Sequence, residues 1–213
     1  MLSLHVARQA IRDAGLGGED LSNAAIIVGS SRGNAAGWVA PWPGRRSFDL
    51  MAASNSMHGE LASAVSIELG IHGPWQVISS GCAASLDAMG MAWMMLKQGV
   101  VSRAIVIGVE LPLLPDVIEL YEKTGVLAKS SVNDPYSADA GGFFPGEAGA
   151  AVVLETTDAL AERKSRVKSA DKTGCFTHKH GSGDVRITGY WCNSDANSPI
   201  GMSTDGKGLR DCL

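Results

Sequence analysis

Disulfide scaffolding, membrane spans and basic surface are all missing from this sequence. Its four cysteines, Cys82, Cys175, Cys192 and Cys212, stand at wide and irregular spacings with no C-x-x-C pair. That usage excludes a disulfide framework and fits a reducing, cytoplasmic compartment. No apolar stretch approaches the roughly 20 residues needed to span a bilayer. The N-terminus is patterned as an amphipathic helix, not as a basic segment followed by an apolar run, so it reads as no signal peptide. Eighteen basic residues against 22 acidic ones give a net charge of −4. The longest cationic patch, Arg163 to Lys172, is interrupted by Asp171, which leaves no surface for nucleic acid. There is also no internal repeat at a solenoid period. These absences predict a protein with neither nucleic-acid nor membrane partners.

What is present is glycine, 26 residues of it in a chain of 213, mostly beside apolar runs. That placement favours close backbone packing and tight turns over disorder, and the length allows one domain or at most two. Met1 to Ala14 carries a helical apolar face, stopped by Gly15. Asn23 to Ser30 reads as a buried strand, followed by a long glycine- and proline-rich loop over 29–46. Two helices are predicted over 47–57 and 59–69. Ser102 to Glu110 reads as a second buried strand, Asp116 to Lys123 as a helix, Gly149 to Glu155 as a third buried strand and Thr157 to Lys164 as a helix. Beyond a polar, poorly patterned stretch, Val185 to Cys192 reads as a further strand.

The informative stretch runs from Trp75 to Gly99. Trp75 to Ile78 reads as a buried strand, Ser79-Ser80-Gly81 as a tight connection, and the chain from Ala83 as a helix. Strand, helix and the strand at Ser102 form a βαβ unit, so the two strands should run parallel. Cys82 sits at the joint. A thiol there lies among unpaired backbone N–H groups at the positive end of a helix, a setting that makes cysteine an acyl acceptor. The residues alone leave a second reading equally open, a small buried hydrophobe.

Several ordered motifs carry a resemblance. Asp13-Ala-Gly-Leu, Ile27-Val-Gly-Ser, Gly70-Ile-His-Gly-Pro, Gly81-Cys-Ala-Ala-Ser, Ala104-Ile-Val-Ile-Gly-Val-Glu, Gly146-Glu-Ala-Gly-Ala-Ala-Val-Val-Leu-Glu and Gly189-Tyr-Trp-Cys-Asn-Ser-Asp-Ala follow one another along the chain. Together they resemble the β-ketoacyl-acyl-carrier-protein synthases, condensing enzymes of the thiolase-like fold. The resemblance implies an α/β chain forming the N-terminal, βαβ-rich half of that fold, with a mixed, mostly parallel sheet covered by helices and incomplete at both ends. It divides the chain into a synthase N-terminal domain over 1–156, a polar linker or insertion over 157–184, and the truncated start of a next strand and helix over 185–213.

The same resemblance implies an acyltransferase of fatty acid or polyketide biosynthesis. Cys82 matches the nucleophile that takes an acyl group from a carrier-protein thioester before condensation with a malonyl thioester. Its own N–H matches one of the two oxyanion donors. Tyr121 falls where the family lines its acyl pocket, and Phe143 beside the entrance to the nucleophile; simple core packing is the alternative for both. The implied partners are an acyl carrier protein and a second synthase subunit, in a homodimer or in a heterodimer with a related synthase. No cofactor and no metal are implied.

Departures from the family pattern narrow this expectation. Its two catalytic histidines, in an H-G-T-G-T loop and a G-H-x-x-x-A loop, and its second oxyanion donor have no counterpart here. Condensation by this chain is therefore expected to be impaired. The family's P-F-D reads Pro135-Tyr136-Ser137, and the aspartate of its D-G-F reads Gly141. His180-Gly-Ser-Gly-Asp stands too early to be the first histidine loop. Cys175, His178 and His180 lack a fourth metal ligand at a familiar spacing and read as a polar surface loop. His58 and His72 flank helix ends and read as capping or packing residues. Against the enzyme stands a non-catalytic reading, a degenerate partner subunit that dimerises with a full synthase; retention of Cys82 weighs against it.

Overall fold

The computed structural model describes residues 1–35, 57–129, 134, 136–137, 141–170, 185–198, 201 and 203–212. The predicted helix over 47–57, apart from Met57, and most of the loop over 29–46 fall outside them. The chain divides into two compact units, Met1–Phe176 and Thr177–Leu213.

In the first unit α1 (Leu2–Asp13) and the short α2 (Gly18–Leu21) lead into β1 (Ala25–Gly29); α3 (Glu60–Leu69) is followed by β2 (Trp75–Ile78). A 3-10 turn at Gly81–Ala83 opens α4 (Ala84–Lys97), and β3 (Arg103–Glu110), α5 (Pro115–Thr124), β4 (Ala148–Glu155) and α6 (Thr157–Ala170) complete it. The strands form one sheet in the order β2-β1-β3-β4, with β1 parallel to β2 and to β3, and β4 antiparallel to β3. This is the expected mixed, mostly parallel sheet.

Alternation along β1 and β3 builds the two faces. Ile26, Val28, Ile105 and Ile107 point to the side covered by α1 and α3, where Val6, Ala7, Leu61 and Val65 meet them. Ala25, Ile27, Ala104 and Val106 point to the other side, against Ala88 and Ala92 of α4. Both strands are thus buried on both faces and read as continuous apolar runs. Each fully buried isoleucine contributes about 1.5–3 kcal/mol. The small residues Ala84, Ala88 and Ala92 fall four apart on one stripe of α4 and let that helix lie close on the sheet.

Three strand expectations are corrected. Trp75 to Ile78 forms a strand, but at the edge of the sheet, and Trp75 is 44% exposed. A short apolar run does not tell how many neighbours a strand has, and β1 takes the place between β2 and β3. The two strands of the expected βαβ unit do run parallel, with β1 between them. Ala148 to Glu155 is likewise half-exposed, since its outer residues alternate with those packed on the core. Val185 to Cys192 forms no strand; among the described residues of Thr177–Leu213 the regular element is α7 (Lys207–Cys212), and a lone segment has no ladder partner.

A charged knot fastens the amino end of β3. Arg103 is 7% exposed and donates from Nε to Glu155 Oε1 at 3.0 Å, from Nη1 to the Asp20 carbonyl and from Nη2 to the Ala159 carbonyl. Glu155 also pairs with Arg163 at 2.6 Å, and Asp20 with Arg166. Burial pushes the Asp20 carboxyl up, but the Arg166 hydrogen bond, the Gly17 N–H and the charges of Arg166 and Arg103 outweigh it and hold the group below its ordinary value. A carboxyl whose value is lowered by folding stabilises the protein above its unfolded value of about 3.9, and loses that contribution as pH falls through the folded one. Asp20→Asn should therefore be less stable than wild type at pH 7 and approach it on acidification to about pH 3. Urea unfolding at a series of pH values measures the difference.

Candidate active site

Parallel strands β1, β2 and β3 end on one side of the sheet, and the loops leaving them meet there. This is where open α/β sheets hold ligands. After β2 the chain runs Ser79-Ser80-Gly81, and Gly81 at φ +68° makes the left-handed step that swings the backbone into the 3-10 turn. Cys82 stands on that turn, exposed and unpaired with another cysteine, two residues before the start of α4. Its sulfur is therefore not the small buried hydrophobe of the alternative reading. The N–H groups of a first turn have no intrahelical acceptor, so the turn is a ready donor for a developing oxyanion.

The reason the turn sits over the sheet lies beneath it. Gly29 and Gly108 are register partners on β1 and β3. A Cβ on Gly29 would stand 2.4 Å from the Ala84 carbonyl oxygen and 2.5 Å from the Ser85 Cα, and one on Gly108 would stand 2.5 Å from the Ser85 Oγ. Side chains at either position would lift α4 and, with it, Cys82.

The loop after β1 is stapled to both neighbours. Ser30 N–H donates to the Ile78 carbonyl at 3.1 Å, and Ser79 Oγ donates to the Ser31 carbonyl at 2.8 Å, joining this loop to the Cys82 turn. On the other side Ser31 N–H donates to Glu110 Oε2 at 2.6 Å. Ser30 Oγ accepts from the Gly33 N–H at 3.0 Å and closes the turn. Within α4, the Asp87 carboxylate accepts from the Ser80 hydroxyl, tying the connection to the first turn of the helix.

Tyr121 and Phe143 come together beside this loop. Their rings meet edge to face, with centroids 5.2 Å apart and planes at 78°. Phe143 is positioned by backbone bonds to Val126 and Ala128 on the segment after α5, and Gly142 at φ +139° permits that approach to Leu127. Sequence reasoning missed Arg32, whose Nε and Nη2 both donate to the Tyr121 hydroxyl, at 3.0 and 2.8 Å. The local signal was a polar Ser-Ser-Arg-Gly turn directly after a buried strand. The partner in α5 is 89 residues away and has no local mark.

The histidines take structural positions: the His58 ring packs against Gly33, and His72 follows α3 with its N–H on the Ser22 carbonyl. Cys175, His178 and His180 lie outside the described residues. Among the described residues no three His, Cys, Asp or Glu side chains are grouped to hold a metal ion, and no helix is long and apolar enough to cross a membrane.

The family model of the beta-ketoacyl synthase N-terminal domain matches residues 1–159. The chain belongs to the β-ketoacyl synthase family. It is 28% identical over 177 residues to polyketide synthase PksN of Bacillus subtilis, a match covering 83% of this chain and 3% of that protein. Among solved structures it resembles the ketosynthase from module 6 of the bacillaene synthase from Bacillus subtilis 168, at 25% identity and a TM-score of 0.63 over 75% of this chain and 27% of that one. It also resembles a type II polyketide acyl-carrier protein complex with its ketosynthase, at 23% identity and a TM-score of 0.67, over 76% of this chain and 44% of that one. The chain thus spans well under two thirds of the curated relatives and solved chains named here. The thiolase-like fold of these ketosynthases agrees with the architecture described above.

Gly29→Ala should destabilise this β-ketoacyl synthase domain by about 1–3 kcal/mol, because the clash is with backbone. Gly108→Ala should cost less, since the Ser85 hydroxyl can turn aside. Urea midpoints of the two variants check the order.

Proposed function

We propose that this chain is the acyl-accepting part of a 3-oxoacyl-carrier-protein synthase of fatty acid or polyketide biosynthesis, with Cys82 as its nucleophile. The observation that carries the reading is the exposed, free thiol on a 3-10 turn at the carboxyl edge of the sheet and the head of α4. The Cys82 thiolate attacks the carbonyl carbon of a carrier-protein thioester. Backbone N–H groups of the turn, that of Cys82 among them, hold the oxyanion while the carbon–sulfur bond to the carrier breaks. The carrier's sulfur leaves and takes up the proton that the Cys82 thiol gave up. Condensation then requires loss of CO2 from a malonyl thioester, attack of the resulting carbanion on the acyl-cysteine and release of the Cys82 thiolate.

Partners follow from this chemistry: an acyl carrier protein as donor, and a second synthase subunit. Support for the second is the position of β2 at the edge of the sheet among the described residues, with Trp75 exposed on it. The free thiols fit a reducing cytoplasm.

Decarboxylation needs a positioned acid–base group, and among the described residues none is hydrogen-bonded to Cys82, the Asp87 carboxylate being held by Ser80. Such a group is worth about 10²–10⁴-fold. The 213-residue polypeptide alone should therefore gain one acyl mass on incubation with an acyl-carrier thioester, lose that gain in Cys82→Ser, and release no 3-oxoacyl product on adding malonyl-carrier protein. Intact-protein mass spectrometry and product analysis read both steps. An unreactive Cys82 would favour the non-catalytic partner subunit.

Trp75→Lys, which places a charge on the edge strand, should shift a dimer toward monomer by light scattering after size exclusion. A wild type that is monomeric at high concentration would remove the second subunit from the proposal.

A further inference from the structure

Arg32 is a cation of unusual placement. Arg103, Arg163 and Arg166 each pair with a carboxylate. Among the described residues Arg32 has a phenol as its partner: two of its N–H groups converge on the Tyr121 oxygen, and its Cζ lies 5.1 Å from the Tyr121 ring centroid. The guanidinium fork carries five N–H donors and has spent two of them on one oxygen. The Tyr121 oxygen, accepting twice, keeps its own proton to donate. Among the described residues the pair is therefore a cluster of donors with no matching acceptor, half-buried on the same edge of the sheet as Cys82.

Its position is fixed. The loop bearing Arg32 is bonded to β2 through Ser30, to the nucleophile turn through Ser79 and to β3 through Glu110. Phe143 meets the Tyr121 ring edge to face. A saturated chain laid against these groups would strip water from a cation and return no hydrogen bond. A chain with an oxygen at that point returns one, to a charged donor.

We propose that the Arg32–Tyr121 pair selects the acyl group delivered to Cys82, favouring chains that carry a hydroxyl or keto oxygen near the thioester over saturated ones of the same length. This rests on Cys82 being the acyl acceptor. Preference is set by hydrogen bonding, as in sites that reject an analogue lacking the oxygen they are built to bind. The recognised feature belongs to the acyl chain and not to a phosphate on the carrier arm.

The test uses the full chain with two N-acetylcysteamine thioesters, hexanoyl and 3-hydroxyhexanoyl, neither of which contains phosphate. Acylation rates at Cys82 are read by intact-protein mass spectrometry, and the ratio of the two rates is compared among wild type, Arg32→Met, Arg32→Gln and Arg32→Lys. The ratio cancels general losses of reactivity. Wild type should favour the hydroxylated probe. Both neutral variants should lower the ratio about tenfold, the worth of one hydrogen bond to a charged donor. Arg32→Lys should hold it within roughly threefold, because the charge and donors remain. A ratio unmoved in the neutral variants overturns the proposal, and so does a wild type that prefers hexanoyl, even if the variants fail to fold. Acylation of Cys82 by neither probe is a different result: it removes the acyl-acceptor reading itself, and the selection with it.

Discussion

The close seating of α4 on the two paired glycines of the sheet is the contact on which the rest of the structure depends. Gly29 and Gly108 form a floor without side chains at the carboxyl ends of two parallel strands, and the backbone of Ala84 and Ser85 rests on it. Three consequences follow from this single approach. The alanine stripe of α4 can bury itself against Ala25, Ile27, Ala104 and Val106. The chain between β2 and α4 is short enough to need the left-handed step at Gly81. Cys82 is then held exposed at the rim of the sheet, at the head of the helix.

Around that seat the loops are rigid because each is tied to a different strand. Ser31 joins the connection before Cys82, through its carbonyl, and the end of β3, through its N–H. Donors held on such a frame are preorganised, which is how a site lowers a barrier. The frame also fixes what stands beside the thiol. Arg32, Tyr121 and Phe143 come from a loop, a helix and a later segment, and they meet because those three pieces are bonded to the same strand ends and to one another. The chemistry of the rim is therefore polar on one side and aromatic on the other.

Much of this was legible in local pattern. The helical face of Met1 to Ala14 with its glycine stop, the apolar runs of β1 and β3, and the strand-turn-helix around Cys82 all lie where periodicity and turn residues put them. Tyr121 and Phe143 were reached only through the ordered motifs, since nothing in their neighbourhoods marks a site. What escaped did so for physical reasons. A four-residue apolar run looks the same in the middle of a sheet as at its edge, so the exposure of Trp75 was hidden. Alternation in Ala148 to Glu155 was masked by its small residues. Arg32 had no legible role because its partner lies across the fold.

The sequence by itself determined the family, the position of the thiol and the glycines that let it sit where it does, because these depend on short-range backbone geometry and on residues in fixed order. Strand order, the antiparallel turn of β4, the pairing of Gly29 with Gly108 and the meeting of Arg32 with Tyr121 were decided only by tertiary structure. Each joins segments far apart in the chain, and no local preference specifies which distant surface a segment will bury. The long-range packing of the core makes that choice, and the character of the site follows from it.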